Sequence, residues 1–168
     1  FDANSVSSNA ISRIYVDRHD DVWVTTYGNG VNRYLGEGAF ERFPTGQLNG
    51  VFSELKTVDI IEDDAGRMWI ATDGGGIVVL DPETGETEIF RHDPSDDRTI
   101  SSDNVISLLN EGGVIWAGTR DRGMNRFVAQ SETFKRYTRT SGLASDLVYG
   151  MLADDEGKIW VSGGKGLS

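Results

Sequence analysis

Arg67 to Ile77 reads RMWIATDGGGI: an apolar run around one tryptophan, then small residues, then glycines, then an aliphatic side chain. The phrase returns as VWVTTYGNGV at 22–31, VIWAGTRDRGM at 114–124 and KIWVSGGKGL at 158–167. All four tryptophans of the 168-residue chain, Trp23, Trp69, Trp116 and Trp160, occupy the same place in it. They are spaced 46, 47 and 44 residues apart.

The flanks repeat too. Six residues before each tryptophan stands an Asx residue, Asp17, Asp63, Asn110 or Asp154. Three before it stands a tight-turn residue, Asp20, Gly66, Gly113 or Gly157, and two after it a small one, Thr25, Ala71, Gly118 or Ser162. An aromatic residue, Phe1, Phe43, Phe90 or Tyr137, precedes each tryptophan by 22 to 26 residues. A strand-rich unit of about 40–50 residues copied in tandem is the signature of propeller blades.

Strand signals divide each unit into a four-stranded meander. The first is expected over 11–17, 22–27, 31–35 and 40–43. The second runs over 57–62, 67–72, 77–80 and 87–90, the third over 105–109, 114–119, 124–128 and 133–137. The fourth supplies 148–153 and 159–162 and then ends. Blades therefore fall at about 10–43, 56–90, 104–137 and an incomplete 147–168, some three and a half blades of one all-β propeller. TVDII, MWIA, IVVL and VISLL are apolar on both faces, as strands are when a sheet is covered on both sides. The tryptophans are expected to wedge between neighbouring sheets, each contributing about 2–3 kcal/mol on burial. The first and last sheets are expected to show wide apolar faces. The chain opens at Phe1 where the repeat places the end of a strand and stops inside a repeat, so it reads as a portion of something longer.

Composition narrows function. A net charge of −11 argues against a nucleic-acid backbone or an anionic membrane surface as partner. With no cysteine there is no disulfide and no thiolate metal site. No apolar run reaches the ~20 residues that cross a bilayer.

EDDAGRMWIATDGGGIVVLDPETGE, DDEGKIWVSGGKGL and the connector TISSDNVISLL resemble the two-component-regulator propeller repeat. The resemblance covers essentially the whole chain. It departs at RHDD, where Asp20 replaces the turn glycine, and at NEGG, which lacks the acidic pair. It implies the periplasmic sensor region of a hybrid two-component system of the Bacteroides type. In that family, seven-bladed propellers precede an immunoglobulin-like domain, an inner-membrane helix and a histidine kinase that answers to oligosaccharides. By that resemblance the partners are an oligosaccharide ligand and the rest of the propeller with its downstream domains; the open apolar faces of the end sheets add a second copy in a homodimer.

No catalytic, metal or cofactor site is expected. The acidic pairs at 62–64 and 154–156 sit just before turns and read as turn formers. Gly74 to Gly76 has neither the lysine-serine nor the helix of a phosphate loop. His19 and His92 lie 73 residues apart and read as solvated loop residues. What varies between units is the turn from second to third strand, on the propeller face that ordinarily takes ligands. Candidate ligand contacts are therefore Tyr27, Asn29, Asp73, Arg120, Arg122 and Lys165. Tyr27 suits stacking on a sugar ring, and the cations suit uronate or sulfate groups. A propeller lyase or hydrolase, and a purely structural dimerisation module, are the alternatives.

Overall fold

The computed structural model describes residues 5–43 and 56–167. Phe1, the expected aromatic of the first unit, lies outside the described residues. The strands fall into four antiparallel sheets. Sheet 1 holds β1 (Ile11–Val16), β2 (Val22–Thr26), β3 (Gly30–Gly36) and β4 (Ala39–Phe43). Sheet 2 holds β5 (Lys56–Glu62), β6 (Met68–Asp73), β7 (Gly76–Leu80) and β8 (Thr87–Phe90). Sheet 3 holds β9 (Val105–Glu111), β10 (Val114–Thr119), β11 (Met124–Val128) and β12 (Thr133–Tyr137). Sheet 4 holds β13 (Val148–Ala153), β14 (Ile159–Gly163) and a short β15 (Gly166–Leu167), one strand more than the sequence suggests. Among the described residues, one 3₁₀ turn, Arg139–Ser141, interrupts the β pattern. Every sheet keeps sequence order, so each is a meander.

The first strands of successive sheets touch, β1 with β5, β5 with β9 and β9 with β13, and form the hub of the array. Side chains alternate along each first strand. Ile60 packs toward sheet 1 with Trp23, Val31 and Met68, and Ile61 packs toward sheet 3 with Trp69, Leu108 and Ile115. These two seams are the core. In sheet 2 all of β7 and most of β6 are buried, the double-sided covering that their apolar runs predict.

The indoles behave as wedges where a following sheet exists. Trp23 and Trp69 are 0% and 1% exposed, and Trp116 is half-buried against Met124, Val148 and Val161. Trp160 departs from the expected wedge: it is 44% exposed, on the outward face of sheet 4 with Leu152 and Leu167. The reason is geometric, since each indole faces the next sheet and none covers this one among the described residues. Ile14 and Val16 leave an exposed apolar strip on the opposite, uncovered face of sheet 1.

The small residue two positions past the tryptophan also has a measurable reason. A Cβ on Gly118 would lie 2.3 Å from Ser107 Oγ and 2.5 Å from Val148 Cγ1, so glycine lets β10 approach sheet 4.

The Asx residue six before the tryptophan does more than form a turn. In Asp63, Oδ1 accepts the amides of Ala65 and Arg67 while Oδ2 accepts Trp69 Nε1–H at 2.9 Å. Asp17 and Asp154 repeat this with Trp23 and Trp160, both at 2.8 Å. One carboxylate thus closes the turn and orients the indole. In unit three, Asn110 instead turns its oxygen to Gly113 N–H and its amide to the Glu62 carbonyl in sheet 2.

Candidate functional site

The second-to-third-strand turns and the connectors between sheets emerge at the same end of the hub. The connector from sheet 2 to sheet 3, residues 91–104, is held there by short-range bonds. Asp103 supplies its carbonyl to the amides of Gly74 and Gly76, and its carboxylate accepts His92 N–H at 2.7 Å. Arg136 of β12 donates to the Thr99 carbonyl. Asn125 of β11 clamps Ser101 with both ends of its amide, at 2.9 Å each. Asn32 of β3 holds Ser7 in the same way. The sequence signal for these clamps is an asparagine on the third strand paired across the ladder with an arginine on the fourth, Asn32 with Arg42 and Asn125 with Arg136, which pattern reading alone passes over.

Tyr27 is 48% exposed, and its backbone forms a β-bridge to Lys56 of sheet 2, so it marks the rim of the first seam. Asn29 is exposed at the same turn. Asp73 forms a β-bridge to Asn104, and its carboxylate accepts Arg120 Nη2 at 3.2 Å across the second seam. Arg120 is anchored in addition through its amide to the Asn104 carbonyl. Two expected ligand contacts are therefore each other's partners. Lys165 stands exposed on the β14–β15 turn.

His92 corrects the expectation of a solvated loop histidine. Its Nδ1 lies 2.9 Å from the Ile100 carbonyl, which requires the proton on that nitrogen, and its Nε2 then accepts Arg122 Nη1 at 3.3 Å. The pairing joins residues 30 apart in sequence through the connector, which no spacing rule anticipates. Arg122 is fixed at its backbone by Thr119 Oγ1. Arg120 and Arg122 thus stand as two oriented cations with exposed guanidinium groups on one turn.

Beneath this end of the hub lies a shared carboxylate. Asp59 Oδ1 takes the Ile60 amide and lies 3.2 Å from Arg13 Nε of sheet 1, while Oδ2 takes the Leu108 amide of sheet 3 at 2.9 Å. Burial pushes its carboxyl above the ordinary range, outweighing the amides and Arg13, which pull the other way. At the opposite end of the hub, the Glu62 carboxylate accepts Arg18 of sheet 1, and Arg18 reaches the Asp63 and Asp64 carbonyls. No group of three or more metal-ligating side chains occurs among the described residues.

A family model described as Two component regulator propeller matches residues 5–28 and 52–74. No curated protein sequence matches the chain. Among solved structures, the extracellular domain of a putative one component system from B. thetaiotaomicron superposes with a TM-score of 0.78 at 26% identity, over 99% of this chain and 22% of that one. The extracellular domain of a putative hybrid two component system from the same bacterium gives 0.81 at 19% identity, over 98% and 25%. A virginiamycin B lyase from Staphylococcus aureus gives 0.67 at 16% identity, over 94% and 50%, a likeness of fold alone. The chain spans about a quarter or less of the two extracellular domains. With its four tryptophan-centred units folded as successive antiparallel sheets, the chain is a run of propeller blades, and its residues 5–28 and 52–74 match the two-component-regulator propeller repeat.

Proposed function

We propose that these blades belong to a sensor region outside the cytoplasm, in the periplasm of an inner-membrane-anchored parent. There they bind an oligosaccharide at the turn-bearing end of the hub and influence a histidine kinase. The observation that carries the reading is the combination of matched sensor repeats with variable, oriented side chains gathered at one end of a fixed frame. Tyr27, Asn29, Arg122 and Lys165 offer an aromatic ring, an amide and two cations to a ligand's ring faces and acidic groups. Asp73 and Arg120 serve first as the pair that sets the shape of that surface.

Binding rather than turnover is favoured by the state of the ionisable groups here. Asp73, Arg120, Arg122 and His92 are engaged with one another or with backbone. Titration calorimetry of the full chain against neutral, uronate-bearing and sulfated oligosaccharides tests the reading. Saturable binding weakened by Arg122→Ala is expected, and the absence of heat with every member overturns it.

A further inference from the structure

The two arginines of the β10–β11 turn have partners of different charge. Arg120 gives its guanidinium to the Asp73 carboxylate at 3.2 Å. Arg122 gives Nη1 to His92 Nε2 at 3.3 Å and forms no ion pair among the described residues. A guanidinium can only donate and a carbonyl can only accept, so the contacts of His92 with Arg122 and with the Ile100 carbonyl demand one tautomer, with the proton on Nδ1. That imidazole is neutral. The charge of Arg120 is therefore answered within the protein, whereas that of Arg122 is held in place and left unanswered. Asp121, the exposed residue between them, pairs with neither.

His92 is fixed from two sides. Its amide donates to the Asp103 carboxylate at 2.7 Å, and the Asp103 carbonyl in turn receives the amides of Gly74 and Gly76. Its ring rests on the carbonyl of Ile100, a fully buried residue whose neighbour Ser101 is clamped by Asn125. The arginine is fixed at its other end, where its amide donates to Thr119 Oγ1 at 3.0 Å. A long side chain tied at its backbone and at one guanidinium nitrogen has already lost much of the rotamer freedom that binding would otherwise cost. The frame recurs at the next seam. There Arg139 takes the place of His92, donating its amide to the Asp146 carboxylate at 2.7 Å, and the Asp146 carbonyl receives the Gly123 amide. The imidazole is what the seam between sheets 2 and 3 adds to a shared scaffold.

We infer that His92 is a positioning residue that makes Arg122 a receptor for one anionic group of the ligand, a carboxylate or a sulfate ester, and so selects an acidic oligosaccharide over a neutral one. Among the described residues nothing engages Arg122 Nη2 or Nε, so a fork of N–H donors remains for two oxygens. The neutral partner is the essential part. A carboxylate in the place of His92 would hold the guanidinium as well and would cancel the charge that the ligand has to meet, as Asp73 does for Arg120. The inference rests on the ligand-binding reading of this surface and adds the residue that decides its preference for charge.

The test is titration calorimetry of the full chain at constant ionic strength with three probes of equal length: a neutral galactan oligosaccharide, its sulfated form and an oligogalacturonate. The wild-type chain is expected to prefer one acidic probe over the neutral one by about tenfold, and which of the two it prefers identifies the anionic group. His92→Ala should reduce that preference about fivefold, and His92→Gln, whose side-chain oxygen can still accept from Arg122, should keep it within about twofold. His92→Glu should abolish it. Thermal midpoints within a few degrees of wild type establish that the variants fold. Long-range proton–nitrogen NMR of the wild-type chain needs no variant: it should show His92 with its proton on Nδ1, and a proton on Nε2 overturns the inference. An unchanged preference in both His92→Ala and His92→Glu, or equal affinity of the wild-type chain for neutral and acidic probes, also overturns it while leaving the ligand surface in place. Failure of the wild-type chain to bind any probe overturns both.

Discussion

The seam between sheets 2 and 3 and the seam between sheets 3 and 4 are built from the same repeat and come out unequal. The first buries eleven apolar side chains, from Ile61 and Trp69 through Ile100 to Phe134, and stacks Phe90 on Trp69 at 5.6 Å. The second buries three, Met124, Val148 and Val161, with a half-buried Trp116 tilted against Tyr137. The polar stitching differs as well. Sheet 2 grips both neighbours through Asp59, Glu62 and Asn110, whereas sheet 4 is tied through the Ser107 hydroxyl to Val148 and the Gly123 amide to Asp146. A repeat therefore fixes where the contacts fall, and the particular side chains decide how much each contact stabilises.

The contrast breaks most directly at the tryptophans. Trp69→Ala is expected to cost about 3–5 kcal/mol in chemical denaturation, since a fully buried indole leaves a cavity. Trp160→Ala should cost about 1 kcal/mol or less, because its ring is already wet. Equal losses would show that the seams are not what distinguishes the sheets. The glycines that open β7 and β15 sharpen the comparison. A Cβ on Gly76 would sit 2.1 Å from the Phe90 carbonyl oxygen, whereas one on Gly166 meets nothing. Gly76→Ala is therefore expected to destabilise by about 3 kcal/mol and Gly166→Ala by about 1, the latter from positive φ alone; paired urea titrations decide it.

Acid titration separates two kinds of carboxylate. Partial burial works to raise Asp17, but the Trp23 indole and two turn amides outweigh it and hold its carboxyl below the ordinary range. The Trp160 indole, with turn amides, does the same for Asp154. Their contribution is present above the unfolded value near 3.8 and is lost as pH falls through the lower folded value. Asp59 runs the other way. Its contribution is present below 3.8 and is lost as pH rises through the raised folded value. Relative to wild type, Asp59→Asn should accordingly gain stability as pH rises from about 4, on top of a constant offset from its altered hydrogen bonds. Urea midpoints at successive pH values read this out, and a flat difference would overturn it. The smallest effect belongs to the half-exposed Asp73–Arg120 pair, whose removal by Arg120→Ala should change stability by about 0–1 kcal/mol.

Most of the architecture was legible because tryptophan recurs at one place in each unit and short apolar runs between turn residues mark all but one of the strands to within a residue or two. The extra strand Gly166–Leu167 escaped because two residues carry no periodicity. The site was less legible for a physical reason. Turn variability picks out Arg120, Arg122 and Asp73, but whether a charge is free depends on partners from another sheet. His92 reaches Arg122 only because the 91–104 connector folds back over the hub. The β-bulges in the first strands, between Ile11 and Arg13 and between Thr57 and Asp59 for example, were invisible too, since so few strand residues precede them that the break in alternation does not show.

Among the described residues, no strand is shared between two sheets. Load applied to the two ends would therefore travel through the joins in series and never shear a ladder that spans the whole array. Under tension such an object should come apart like a string of beads, one blade per force peak, the lightly fastened last blade first and the doubly gripped second blade late.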